Sequence, residues 1–313
     1  MMSRKDTIAL LALSGIWGSS YLFIAFGGES LPPLTLVAFR LLIGAGALQL
    51  VLRLRNIPVP RAPKVLAALA FMGLMNNIIP FTLITWSEAP GPQQVNSGLA
   101  AVLIAAVPIF TAMIAHFALR DERLTLLRVL GVVVGFAGVV VLMSPRLNGI
   151  GGEQGLLGAL AVITAALAYG IATIFSRRVL TGVAPIVLGA VQMTWSSLAL
   201  LPIAFLIERP VLADVTTRAW FSVAWLGLLG SGLAYIFYFG LIRSIGATRT
   251  TMVTYISPIV AVILGAVFNA ESIHWTLIGG MVLIIGGAVI VNRKSKPARS
   301  AVAAAASPAP SAR

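Results

Sequence analysis

Long apolar runs separated by short polar gaps make up most of the chain. A helix needs about 20 apolar residues to cross the hydrocarbon core of a bilayer, so each run of this length predicts one spanning helix. Ten stretches qualify: Thr7–Phe26, Leu34–Leu52, Val65–Trp86, Val95–Leu119, Leu126–Met143, Leu156–Phe175, Pro185–Ile207, Ala219–Leu241, Thr248–Ala270 and Trp275–Val291. The pattern therefore predicts an all-α integral membrane protein with ten transmembrane helices.

The fourth and fifth predicted helices recur about 150 residues later as the ninth and tenth. The two copies are Ser97–Leu142 and Ala247–Val291. Each has an apolar run with one proline, Pro108 or Pro258, then a polar break with a glutamate, then an apolar run studded with glycine. A period this long indicates two fused halves rather than a solenoid of short repeats.

The earlier helices of the two halves also correspond, at a constant offset of 152 residues. The matched residues are Trp17-Gly18 with Tyr169-Gly170, Pro33 with Pro185, and Arg40 with Gln192. With five helices in each half, the first and sixth helices enter the bilayer from opposite faces. The halves are therefore predicted to be inverted repeats, an arrangement in which secondary transporters bind their substrate near the midplane where the repeats meet.

Composition supports a membrane environment and excludes several other classes. The chain is 59% hydrophobic and 10% charged, whereas soluble domains carry about 25% charged residues. Its net charge of +13 does not indicate nucleic-acid binding, because the cations lie in short gaps between the apolar runs. Eighteen Lys and Arg lie on one predicted side and three on the other, with Arg40 inside a helix. This asymmetry predicts that both termini are cytoplasmic, in a bacterial inner membrane.

These observations predict four regions along the chain. Residues 1–6 form a cytoplasmic N-terminus, residues 7–146 the first five-helix repeat, and residues 155–292 the second, inverted repeat. Residues 293–313 are rich in Ala, Ser and Pro, a composition typical of a disordered tail.

Three motifs carry a family resemblance. They are WGSS on the first helix, SGLAAVL followed by a proline on the fourth, and IGATR followed by SP on the ninth. With its ten helices in two repeats, the chain resembles the drug/metabolite transporter superfamily, and within it the EamA-type exporters, including the YddG-like amino-acid exporters. The resemblance covers residues 7 to about 292. It implies a basket of helices around a central cavity, with the fifth and tenth helices packed away from it, and export of small metabolites.

Polar and aromatic residues inside the spans are the candidate substrate-binding residues, because polar groups in a membrane are costly unless paired. They are Trp17, Ser20, Tyr21, Asn76, Asn77, Tyr169, Tyr235, Tyr238 and Tyr255. The alternative for each is helix packing, or a hydrogen bond between helices of about 0.6 kcal/mol. Adjacent helical residues point about 100° apart, so at most one of Asn76 and Asn77 faces a cavity squarely.

Four further residues are candidates for hinge or gating roles: Pro108, Pro258, Arg40 and Gln192. A proline within a helix removes a backbone donor and frees a carbonyl, so it can kink or hinge the helix. Ser257 could satisfy the carbonyl that Pro258 frees. Arg40 could bind a substrate carboxylate through two parallel hydrogen bonds, or extend its head group outward to the membrane surface.

Several absences narrow the function. All nine acidic residues are predicted at or beyond helix ends, which argues against proton-coupled export of lipophilic cations. The sequence has no phosphate-binding loop and no metal-binding cluster, so we expect no cofactor and no metal. The favoured interpretation is an alternating-access exporter of amino acids, aromatic and other neutral ones, that works as a monomer or homodimer. The alternatives are a multidrug or other metabolite carrier of the same fold, a membrane enzyme acting on a lipid-linked group, and a structural or receptor protein.

Overall fold

The computed structural model describes residues 3–119, 125–147, 155–245, 250 and 252–292, and within these ranges it contains helices and no strand. The ten helices are α1 (Arg4–Gly28), α2 (Pro33–Leu54), α3 (Pro63–Glu88), α4 (Ser97–Ala118), α5 (Leu126–Leu147), α6 (Leu156–Val179), α7 (Pro185–Glu208), α8 (Thr217–Ala224, Trp225–Leu233 and Ala234–Ile245), α9 (Val253–Phe268) and α10 (Trp275–Asn292). A 3₁₀ turn, Leu212–Asp214, precedes α8. In the described chain all but α9 are long and apolar enough to span a membrane, and α9 has 16 residues. The predicted start of the ninth span, Thr248, and the predicted tail, 293–313, lie outside the described residues.

Local sequence explains where several helices begin. A proline occupies the first turn of α2, α3 and α7, where its missing N–H would have no helical partner in any case. The side chain of Ser3 caps α1 and forms a capping box with Asp6. Asn96 caps α4 by accepting the backbone N–H of Leu99 at 3.1 Å. These signals fix the helix ends at which the loops turn back into the bundle.

Helix packing follows the inverted repeat. The most extensive contacts join α5 to α10 and α2 to α7, which are repeat equivalents of each other. The contact of α1 with α9 has its counterpart in α6 with α4, and that of α2 with α8 has its counterpart in α7 with α3. Loops that the inverted arrangement assigns to one end of the bundle do meet there. Ser30 and Thr216 share a hydrogen bond at 3.2 Å, and the Gly155 N–H donates to the Pro92 carbonyl at 2.8 Å.

The glycines of α5 and α10 allow these two helices to pack with their backbones in contact. A Cβ added to Gly138 would lie 2.8 Å from the Gly280 carbonyl oxygen, and one added to Gly287 would lie 2.5 Å from the Gly131 carbonyl oxygen. A Cβ at Gly286 would meet nothing within 4 Å, so Gly286 is not part of this contact. The close contact between the glycines of α5 and α10 therefore packs the two repeats together within one chain.

The two repeat-related prolines occupy different environments. α4 is interrupted at Ala105–Ala106, so Pro108 lies in the first turn of the segment Val107–Ala118, and its predicted mid-helix position is wrong. A proline fits there because the first N–H groups of a helix have no partner within it. Pro258 does lie inside α9. The Ser257 hydroxyl donates at 2.9 Å to the carbonyl of Val253, not to the carbonyl that Pro258 leaves without its helical donor.

A turn of π-helix interrupts α3 at Leu74–Ile78, and a longer one interrupts α8 at Trp225–Leu233. The two helices are repeat equivalents, so the irregularity is repeated as well. Such i→i+5 turns are rare, and they are frequent at functional sites because they displace side chains and expose carbonyl groups. Both π segments face helices of the opposite half: Leu74–Ile78 contacts α6 and α7, and Trp225–Leu233 contacts α1 and α2.

Candidate solute-binding site

Arg40 lies in the interior of the bundle, where its side chain is 6% exposed. Its Nε donates to the Ser231 hydroxyl of the α8 π segment at 3.1 Å. Its guanidinium carbon lies over the ring of Phe81, 3.9 Å from the centroid. Arg40 therefore turns inward, towards the second half of the chain, rather than extending to a membrane surface.

The two terminal nitrogens of Arg40 form no hydrogen bond with any described residue, and no described carboxylate lies within ion-pair distance. These two nitrogens are also not fully buried, so they border open space. A charge inside the protein without an opposite charge is costly. The guanidinium fork presents two parallel N–H donors that match a carboxylate. This part of the site can therefore bind an anionic group supplied from outside the chain.

Three tyrosines lie near Arg40. Tyr21 of α1, Tyr169 of α6 and Tyr235 of α8 all lie within electrostatic range of the guanidinium. Each of the three is partly exposed. Because these residues come from both halves of the chain, the site lies where the two repeats meet.

Asn76 belongs to this group and Asn77 does not. The Asn76 amide nitrogen donates to the Tyr235 hydroxyl at 3.3 Å and to the Gln192 side-chain oxygen at 3.4 Å. Asn77 is fully buried, and its amide nitrogen donates to the Ser196 hydroxyl at 3.2 Å, which joins α3 to α7. Gln192 thus contacts the π segment of α3 as its repeat mate Arg40 contacts that of α8.

Aromatic residues extend the site towards the end of the bundle at which α1 begins. The Trp17 indole N–H donates to the Gly230 carbonyl in the α8 π segment at 3.2 Å. Its ring lies 5.4 Å from that of Tyr238, at an interplanar angle of 43°. Ser20 donates to the Ile16 carbonyl of its own helix at 2.9 Å, so its hydrogen stays within α1. Trp17 and Tyr238 together form an apolar wall next to the polar group around Arg40.

Tyr255 lies apart from these residues. Its hydroxyl donates to the Ala288 carbonyl at 3.2 Å and accepts from the Asn292 amide nitrogen at 2.6 Å. Both partners belong to α10, which packs on α5. The structure therefore brings together Trp17, Tyr21, Asn76, Tyr169, Tyr235, Tyr238, Arg40 and Gln192, and leaves Tyr255 as a link between α9 and α10.

Ser231, Phe81 and Glu88 are site residues that sequence reasoning did not single out. Ser231 had a weak signal, as a polar residue in a glycine-rich stretch of a span, and Phe81 had none. Glu88 is the last residue of α3, as its predicted position at a helix end requires, yet it is only 2% exposed. It is enclosed because the start of α4 folds back over it, and the Ser97 hydroxyl donates to its Oε2 at 3.0 Å.

Among the described residues no cluster of His, Asp and Glu could hold a metal ion.

Comparison with known proteins identifies transporters as relatives. The sequence model of the EamA-like transporter family matches residues 6–144 and 156–293. The chain is 30% identical over 281 residues to the uncharacterized inner membrane transporter YedA of Escherichia coli K12, covering 88% of each. It is 28% identical over 283 residues to the uncharacterized transporter YoaV of Bacillus subtilis, covering 90% of this chain and 95% of that one. A crystal structure with 22% identity shares the fold, with a TM-score of 0.65 over 92% of this chain and 98% of the other.

Proposed function

Because the chain belongs to the EamA-like transporter family, we propose that it exports small neutral or zwitterionic metabolites, amino acids above all, across the bacterial inner membrane. That it is a multi-pass membrane transporter follows from the family and from its helices. The observation that carries the choice of substrate is Arg40, whose enclosed guanidinium has two free terminal nitrogens. A zwitterion supplies the carboxylate that these nitrogens lack and adds no net charge to the membrane interior.

The surrounding residues fit the rest of an amino acid. The Tyr21 and Tyr169 hydroxyls near Arg40 can accept hydrogen bonds from an ammonium group, as can the Asn76 side-chain oxygen. Trp17 and Tyr238 offer an apolar wall for an aromatic or aliphatic side chain. A lipophilic cation would meet the like charge of Arg40, which disfavours a multidrug role for this site.

Transport by this arrangement requires the two halves to move relative to each other. Several hydrogen bonds that cross between them lie at the site itself, including those from Arg40 to Ser231, from Trp17 to Gly230 and from Asn76 to Gln192. A bound solute can replace some of these partners, so its binding can shift the balance between two packings of the repeats. Alternate opening of the site to the two faces would then carry the solute outward when its concentration is higher in the cytoplasm.

The proposal is tested with purified protein in liposomes by measuring counterflow of radiolabelled L-phenylalanine and of phenethylamine, which lacks the carboxylate. We expect the parent to prefer L-phenylalanine and Arg40→Gln to lose that preference. Hydrogen bonds to charged groups contribute about 1.5–3 kcal/mol, so the apparent affinity for L-phenylalanine should fall by roughly 10- to 100-fold.

Arg218→Gln is the matched control. Arg218 also lies over an aromatic ring, 3.5 Å from the Phe26 centroid, but it is half exposed and pairs with Glu29 at 2.9 Å. It should transport like the parent. Equal losses for both solutes in Arg40→Gln, or a parent that does not distinguish them, would refute carboxylate recognition by Arg40.

A further inference from the structure

We propose that Glu88 is a proton-binding group which gives up its proton when the ammonium group of a solute comes beside it. The protonation site stands on the structure alone, and the exchange with solute rests on the proposed function. Together they make the protein an exchanger of protons for zwitterions rather than a passive carrier.

The first argument is the enclosure of the Glu88 carboxyl group. The side chain is 2% exposed, and its Oε2 accepts one hydrogen bond, from the Ser97 hydroxyl at 3.0 Å. Its Oε1 is sealed from contact and has no hydrogen-bond partner among the described residues. A sealed carboxylate oxygen without a donor is costly, whereas the carboxylic acid carries no charge to be compensated.

The second argument is the set of charges that face Glu88. Glu271, in the turn before α10, accepts the backbone N–H groups of Ser97 and Gly98 at 2.9 and 3.0 Å. It opposes a second negative charge on Glu88. Arg40 attracts a negative charge on Glu88, but the Arg40 side chain is bound to Ser231 and forms no ion pair with Glu88. Tyr21 adds only a neutral hydroxyl on the side of α1.

The third argument is a route for the proton. A pocket of about 260 Å³ at the end of the bundle where α3 ends and α4 begins is lined by Glu88, Glu271, Gln94, Asn96, Asn269, Ser97, Val95 and Ala25. Side chains of this kind can hold water, which transfers protons. Glu88 therefore borders this pocket and also lies within electrostatic range of Tyr21 and Arg40 of the solute site.

These positions define the exchange. A zwitterion whose carboxylate binds Arg40 brings its ammonium group towards Tyr21 and Glu88. While the site is open to the cytoplasm, the O–H bond of the Glu88 acid breaks, the proton passes to cytoplasmic water in the solute site, and the carboxylate pairs with the ammonium group. After the solute has left to the outer face, Glu88 takes up a proton from water in the pocket. By linkage, proton and solute lower each other's affinity, as an exporter driven by an inward proton gradient requires.

Infrared spectroscopy of the protein in lipid films tests the site directly, through the C=O band of a protonated carboxyl group. At neutral pH the parent should show this band and Glu88→Gln should lack it, while Glu271→Gln, which removes the opposing charge, should show the band but lose it at a lower pH than the parent. Ser97→Ala removes the one hydrogen bond that stabilises the carboxylate, so its band should persist to higher pH. A band that survives in Glu88→Gln, or a parent without one at any pH, would overturn the proposal.

The exchange is tested in liposomes loaded with the pH dye pyranine. Adding L-phenylalanine outside should move protons out of parent liposomes and not out of Glu88→Gln liposomes, and the uptake of radiolabelled L-phenylalanine that remains in Glu88→Gln should no longer respond to a pH gradient. Proton movement that Glu88→Gln retains would refute the exchange. If the parent transports no L-phenylalanine, the proposed function fails, but the infrared result still decides whether Glu88 binds a proton.

Discussion

Gly18 permits the close contact of α1 with α9, and Gly18→Ala should destabilise the protein. An added Cβ would lie 2.7 Å from the Ser257 carbonyl oxygen and 2.6 Å from the Val260 Cβ. Backbone atoms cannot move aside as the end of a flexible side chain can, so α1 must shift. Overpacking of this kind costs about 1–3 kcal/mol, against a gain of up to about 1 kcal/mol because alanine favours helix over glycine.

Gly15→Ala isolates the packing effect. Gly15 lies one turn earlier in α1, and a Cβ there would meet nothing within 4 Å, so this variant makes the same helix-propensity gain without a clash. The difference between the two variants should therefore equal the overpacking cost alone. A change of 1 kcal/mol shifts the Tm of a larger domain by roughly 2–4 °C, so the Tm values should differ by about 2–12 °C.

Tryptophan fluorescence during heating in detergent measures this difference. Gly15→Ala should match or exceed the parent, and Gly18→Ala should unfold at the lower temperature. The repeat mate Gly170 should tolerate alanine better, since its Cβ would lie 3.2 Å from the nearest atoms, including the Thr111 backbone nitrogen. Equal Tm values for Gly15→Ala and Gly18→Ala would refute the close α1–α9 contact.

Two further changes test other contacts of the fold and the site. Glu208→Gln should lower the free energy of unfolding by about 1 kcal/mol, measured by the same heating assay, because the carboxylate accepts two N–H groups at the start of α2 at 2.8 Å each. If Glu208→Gln has the same Tm as the parent, the Glu208 cap contributes nothing to stability. Tyr235→Phe should raise the KM for L-phenylalanine several-fold in liposome uptake, because its hydroxyl bonds to Asn76 at the site, whereas Tyr255→Phe should leave the KM unchanged. If instead Tyr255→Phe raises the KM and Tyr235→Phe does not, the solute site lies at α9 and α10.

The ten-helix fold could be predicted because it depends on hydropathy and on internal repetition, and both can be read directly from the sequence. Hydropathy sets the spans, and the offset repeats expose the duplication from the sequence alone. Trp17-Gly18 and Tyr169-Gly170 were correctly matched as equivalents, and their glycines occupy equivalent close contacts with α9 and α4.

The details of the site could not be predicted, because they depend on contacts between distant residues. A π turn shifts the register by one residue without a signature in composition, so the sequence could not tell that Asn76, and not Asn77, contacts Tyr235. Pro108 itself favours a break in the preceding turn, but hydropathy alone does not distinguish a kinked span from the interruption at Ala105–Ala106. Glu88 ends a helix, but its enclosure depends on how the start of α4 packs over it.

The most direct test of the central claim, that solute crosses between the two repeats at Arg40, uses a single cysteine at the site. The chain has no native cysteine, so Asn76→Cys introduces a unique thiol next to Tyr235. Inside-out and right-side-out vesicles are treated with a membrane-impermeant thiol reagent, with and without L-phenylalanine. We expect labelling from both faces and protection by L-phenylalanine on each. A thiol that no face can label, or that L-phenylalanine does not protect, would contradict the account.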